Sequence, residues 1–296
     1  MINDTSRCPK CNALAQPGTR YCANCGNDLS VPQAAPAPMA GAQPAQNWQA
    51  SEQAKQRIME TISQRGHTDE MIPEWWVLLP ILVVLLSVGV SIIGFFYAPF
   101  ASIFVTIGAS IVSAIIILLL IYKLLKRHNL HLAREATLRR SIIDFFRFKG
   151  EEKGAGNQVY QYTQAMEGID REGLAVEKPQ DALLWTILCI IPIINYVAYI
   201  LIAYWLTNFS PGHDRRFFAF AQNTQYAGNQ VGMQNLMPPV WRPVPERSFI
   251  LYIVLTIVTF GLFAIYWVYV LIKDLNEHFK NEWEFEDALV AQMQRI

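Results

Sequence analysis

The stretch "IYWVYVLIKDLNEHFK" (Ile265–Lys280) begins as an apolar helix and ends as a charged one, with neither Gly nor Pro marking the change. Parts of it occur twice earlier. Tyr122-Lys-Leu124…His131, Tyr204-Trp-Leu206…His213 and Tyr269-Val-Leu271…His278 each place Leu two residues and His nine residues after Tyr. The first and third copies also share Lys126 with Lys273, Asn129 with Asn276, and Glu135 with Glu282. Each copy closes a long apolar run, so the chain reads as a repeated unit: apolar segment, Tyr exit, amphipathic tail.

The apolar runs set the class. Lys, Arg, Asp and Glu are absent from Trp75 to Tyr122, from Ala182 to His213 and from Ser248 to Ile272. About 20 uncharged apolar residues suffice to cross a bilayer core. The expected fold is a mainly α-helical membrane protein with a small N-terminal zinc ribbon. Formal net charge is zero, which removes any bulk attraction to nucleic acid. Trp75 and Trp76 mark the membrane interface. Helices over about Trp75–Tyr97 and Phe100–Tyr122, separated by Ala98-Pro99, form a tight transmembrane hairpin. Ala98, Ser102, Thr106, Ser110 and Ala114 recur every fourth residue, where Ser87 and Ser91 can approach.

Topology is open beyond that hairpin. Equivalent tails belong on one side, yet four simple spans put the second tail on the other. Arg215, Arg216, Arg242 and Arg247 against Asp214 and Glu246 favour the inside. Pro192 and Gly261 break the second and third apolar segments midway. Each half is then about ten to thirteen residues, short of a full span. Kinked spans and re-entrant hairpins both fit.

The tails differ in charge. Lys123–Lys149 carries eight basic residues against Glu135 and Asp144, and Lys273–Ile296 carries three basic against six acidic. These two helices are expected to pack together on the cytoplasmic face. Lys123, Lys126, Arg127, Arg139 and Arg140 are also candidates for anionic lipid. His131, His213 and His278 form a metal or head-group site if the tails converge, and His128, His131 and Glu135 share one helix face. The preferred reading is blander: His and Tyr suit a wet, half-buried boundary.

At the N-terminus, Cys8 and Cys11 form one C-x2-C pair, and Cys22 and Cys25 form a second. Four thiolates at this spacing suit one structural Zn2+, with no position left for catalysis. The motif resembles the short bacterial and archaeal zinc ribbon over Cys8–Asp28. Cys189 lies in an apolar run and reads as a packed core thiol. The segment "RSFILYIVLTIVTFGLFAIYWVYVLIKDLNEHF", with Thr259, Gly261, Phe263, Tyr266 and Trp267, resembles an uncharacterised prokaryotic membrane family, a domain of unknown function. That resemblance implies no activity.

The expected organisation is a ribbon (1–30), a disordered Ala/Pro/Gln linker (31–50), a juxtamembrane helix (51–74), the transmembrane hairpin (75–122) and a basic amphipathic helix (123–149). A linker (150–181), the second apolar segment with its tail (182–226), a loop (227–247) and the third segment with an acidic helical tail (248–296) follow. No nucleophile elbow, phosphate loop or H-E-x-x-H motif is present, so no catalytic residue is expected. The expected role is a non-enzymatic adaptor, scaffold or regulator in the cell membrane, multi-pass, with a cytoplasmic N-terminus. The ribbon would contact a protein partner, and a homo-oligomer is compatible. A transport subunit and a membrane-shaping hairpin protein are the alternatives.

Overall fold

A computed structural model describes residues 44–296, of which residues 47–296 form one compact unit. The four ribbon cysteines, Cys8, Cys11, Cys22 and Cys25, lie outside the described residues. Those residues are mostly helical, with no strand among them. The order is α1 (Pro44–Ser63), α2 (Arg65–Thr68), a 3-10 turn (Glu74–Leu78), α3 (Leu79–Tyr97), α4 (Pro99–Glu152) and α5 (Gly156–Val176). Then come α6 (Ala182–Leu188), α7 (Ile194–Val231), α8 (Phe249–Val258) and α9 (Leu262–Met293). Two expected boundaries move. Helix α1 starts inside the Ala/Pro/Gln stretch, and α5 occupies most of the expected linker 150–181, because Val159 and Met166 bury one apolar stripe of it.

Two helices, Glu74–Tyr97 and Phe100–Glu152, are long and apolar enough to cross a membrane. Only 11% of the most apolar window of each is buried, so their Leu, Ile and Phe side chains face outward. The small-residue stripe does hold this pair. Ser91 Oγ lies 2.8 Å from Thr106 Oγ1 and donates to Ser102 O, and Ser113 Oγ donates to Pro80 O. Helix α4 then runs on without a break into the basic segment.

The other two apolar segments are short hairpins. Helix α6 ends at Leu188, and the chain reverses through Ile193 (φ 71°) into α7. Helix α8 ends in a reversal through Phe260 (φ 51°) and Gly261 (φ 91°), where the Gly261 N–H donates to Thr256 O five residues back. Thr259 Oγ1 accepts the amide of Phe263 in the first turn of α9, which gives the Thr-x-Gly pattern its mechanical role. The arms run antiparallel: Tyr252 packs on Phe263 at 5.0 Å, and Phe249 packs on Trp267 at 5.6 Å. Trp267 Nε1 donates to Thr207 Oγ1 at 2.9 Å, tying the two short hairpins together.

Helices α4, α7 and α9 organise everything else. Near their apolar ends Leu120, Leu124, Ala198, Ile202, Leu206 and Ile272 form one core, which includes Cys189. Further along, Leu138, Phe146, Phe217, Phe220, Phe285 and Leu289 form a second, larger core with α1 and α5. All three helices pass from the first core to the second in the same chain direction, so they run parallel. Between the cores lies a polar layer, and the three repeated histidines sit in it.

Candidate metal centre

Helix geometry explains why the repeat aims histidine inward. Leu and His are seven residues apart in each copy, about two turns, and so share one face; Tyr and His are nine apart, about half a turn out of phase. The Leu face packs in the apolar core. Tyr204 is therefore exposed, while His131, His213 and His278 are at most 1% exposed. The expectation of a wet, half-buried site for these histidines is corrected: three amphipathic faces that each look polar in isolation become interior when they meet.

One ligating atom from each of the three histidines lies within 4.8 Å of the others. The Nε2 atoms of His131 and His213 face each other at 3.0 Å. Glu135 Oε2 lies 3.0 Å from His213 Nε2 and 3.5 Å from His131 Nε2, with no hydrogen bond of good geometry. His278 Nε2 and Glu282 Oε2, 3.9 Å apart, are also buried and unpartnered. Glu135 and Glu282 each stand four residues after their histidine, on the same helix face. The second copy has Phe217 at that position, edge-on to His278 at 5.9 Å.

Every Nδ1 is occupied by a carboxylate. Asp69 holds His131 at 3.0 Å, Glu177 holds His213 at 2.8 Å and Asp214 holds His278 at 2.9 Å. This fixes each ring, the outer-shell arrangement that orients ligating histidines in metal sites; Nε2 of His278 is unpartnered, while those of His131 and His213 hydrogen-bond each other. Donor separations of about 3.0–3.4 Å are the edge lengths expected around an ion bound at about 2.1 Å. The two 3.0 Å spacings above fall in that range, and the 3.5 and 3.9 Å spacings lie beyond it.

Burial and the neighbouring carboxylates act differently on the three histidines. Burial opposes charge on His213, but Glu135 and Glu177 on either side outweigh it and raise its pKa to about 10. For His131 burial dominates despite Asp69, and its pKa falls to about 4, which leaves the neutral imidazole that binds metals. Burial, against Arg134, pushes Glu282 well above the usual carboxylate range. A second trio, Asp69, His131 and Glu282, also has metal-like spacing. Arg134 Nη2 already donates to Asp69 Oδ2 at 2.6 Å and to Glu282 Oε1 at 2.9 Å, so a guanidinium fills that place.

The remaining sequence candidates separate. His128 is buried edge-on against Trp205 and Phe209 with neither ring nitrogen hydrogen-bonded, and it is not one of the three histidines whose ligating atoms converge. Arg127 and Arg139 do not face lipid, a correction to the expected basic surface. Arg127 donates to Asn276 Oδ1 and Ile272 O of α9, and Arg139 pairs with Glu135 one turn earlier on α4 and with Asp170 of α5, because α5 and α9 cover these side chains. Lys123 pairs with Glu70, Lys126 stays exposed beside the Tyr122 ring, and Arg140 is exposed beside Asp170. The expected packing of basic on acidic helix is present through Arg134, Glu282 and Glu286.

Asp69, Glu177 and Asp214 were not singled out as site residues by pattern. A signal for their neighbourhood exists: Pro73-Glu74, Pro179-Gln180 and Pro245-Glu246 stand just before the three apolar segments. These lead-ins are pinned to the exits in rotation. Asn129 of the first exit exchanges hydrogen bonds with Gln180 of the second lead-in. Asp214 of the second exit accepts from Val244 N of the third, and Asn276 of the third exit donates to Ile72 O of the first.

Comparison with known proteins adds one fact to this geometry. Residues 247–291 match the family described as Domain of unknown function (DUF4234). The match covers α8 and most of α9, and so includes His278 and Glu282 but not the other two histidines. No curated protein and no solved structure matches the chain.

Proposed function

We propose that this chain is a membrane-anchored, non-enzymatic scaffold whose helical domain is locked by a resident divalent transition-metal ion. His131, His213 and His278 would bind it through Nε2, with Glu135 and Glu282 as carboxylate ligands. The observation that carries the reading is the convergence of buried Nε2 atoms and unpartnered carboxylate oxygens, with every Nδ1 held by an acid. Three imidazoles with carboxylate oxygens suit zinc or iron rather than magnesium or calcium. All five side chains are buried, so the ion is a fixed structural element that joins the three repeats.

The α3–α4 hairpin is the membrane anchor in this reading. The basic excess that follows it supports a cytoplasmic helical domain and N-terminus. The spacing of Cys8, Cys11, Cys22 and Cys25 supports a separate structural zinc, and the ribbon would recruit a protein partner.

The test is metal analysis of the purified full chain with all four ribbon cysteines changed to Ser. One tightly held ion per chain is expected, and it should be lost in His213→Ala and weakened in the near-isosteric Glu135→Gln. A folded protein lacking the four ribbon cysteines that retains no metal after incubation with zinc, iron or manganese and desalting would overturn the proposal.

A further inference from the structure

We infer that the segments 182–206 and 249–272 dip into the bilayer from the domain side and return, rather than crossing it. The inference shares with the proposed function only the membrane reading of α3–α4, and it holds with or without a bound metal.

The first observation is where each segment starts and stops. The lead-ins Ile72, Gln180 and Val244 are hydrogen-bonded to Asn276, Asn129 and Asp214, all residues of the histidine layer. Arg247, just before α8, also grips Asp274 with two contacts of 2.6 and 2.7 Å. Each apolar segment therefore leaves one layer and comes back to it. A crossing segment would have to begin on the opposite side of the membrane from where it ends.

The second observation is length. Helix α8 has 10 residues, about 15 Å, and α6 has 7, about 10 Å. A hydrocarbon core of about 30 Å needs roughly twice as much. The first hairpin, with arms of full spanning length, reaches the far side; the two short ones stop near the middle.

The third observation is the character of the tips. Ile193 is 80% exposed and Phe260 is 98% exposed, each at a reversal where the backbone takes positive φ. Large apolar side chains at reversals, beside a pair of lipid-length helices, fit acyl chains as their solvent. The reversals satisfy much of their own hydrogen bonding, as a bend inside lipid requires: Asn195 N donates to Ile191 O, and Gly261 N to Thr256 O.

The experiment places one added cysteine at a time in the full chain, in sealed proteoliposomes of uniform orientation, and counts new sites reached by an impermeant maleimide. Val240→Cys and Arg295→Cys should react from the same face, and Tyr97→Cys from the opposite face. Phe260→Cys should react from neither face until detergent is added. All four positions are exposed, so the substitutions leave the packing intact. Labelling of Val240→Cys from the face opposite Arg295→Cys would establish crossing segments and end the inference. So would labelling of Phe260→Cys in intact vesicles. Labelling of Tyr97→Cys on the Arg295 face would remove the membrane-spanning premise itself.

Discussion

Arg134 is the position where a single substitution tests the buried layer most sharply. Its side chain is 1% exposed and pairs with Asp69, Glu282 and Glu286. Changing it to Met keeps much of the volume but leaves three carboxylates without their shared cation. Removing one partner of a buried ion pair costs about 3–5 kcal/mol. For a unit of this size each kcal/mol moves the melting midpoint by about 2–4 °C, so Arg134→Met should melt roughly 6–20 °C below the parent. The assay is thermal unfolding of detergent-solubilised protein, scanned at one fixed rate. Arg140→Met serves as the control: that side chain is 63% exposed, and its loss should shift stability by no more than about 0.5 kcal/mol. Arg134→Lys should fall between the two, because an ammonium keeps the charge but not the planar fork. A midpoint for Arg134→Met within about 2 °C of Arg140→Met would refute the claim that this cation balances the layer, since 2 °C corresponds to about 1 kcal/mol or less.

Three further outcomes follow from other contacts. Stripping metal with a chelator should lower the melting midpoint of the ribbon-free protein, by about 4 kcal/mol of stability if the ion had been present at a thousandfold excess over its Kd, and should leave His213→Ala unchanged. Gly261→Ala should cost about 1–2 kcal/mol from backbone strain alone, since its φ is 91° and no atom lies within 4 Å of an added Cβ; calorimetry of the purified protein checks it. Trp267→Phe should cost about 1 kcal/mol through its hydrogen bond to Thr207, and in a double-mutant cycle with Thr207→Val the two losses should not add.

Much of the architecture was legible because the repeat is written in helical phase. Tyr, Leu and His at fixed spacing place the three exits on three helices, and the breakers Pro192 and Gly261 locate both reversals. The basic and acidic tails announced their own pairing. Burial was not legible. His131 sits among Arg127, Arg134, Glu135 and Arg139, a neighbourhood that reads as a solvated or lipid-facing surface. Its interior character arises only when α4, α7 and α9 converge, each supplying charges that the others neutralise. Asp69 and Glu177 escaped for a different reason: they lie in short connecting segments with no periodicity of their own, and only the lead-in prolines hint that those segments are equivalent. Helix α5 reads as a linker in the sequence because its glycines and mixed polarity hide a narrow apolar stripe.

The rotating pattern of lead-in and exit contacts makes the three repeats a closed cycle in which no unit is complete without its neighbours. Residues 247–291, the part that matches a family model, amount to a single unit with one histidine, His278, and one of the two candidate glutamate ligands, Glu282. One such unit alone would leave its lead-in and its exit without the partners that the other two supply here.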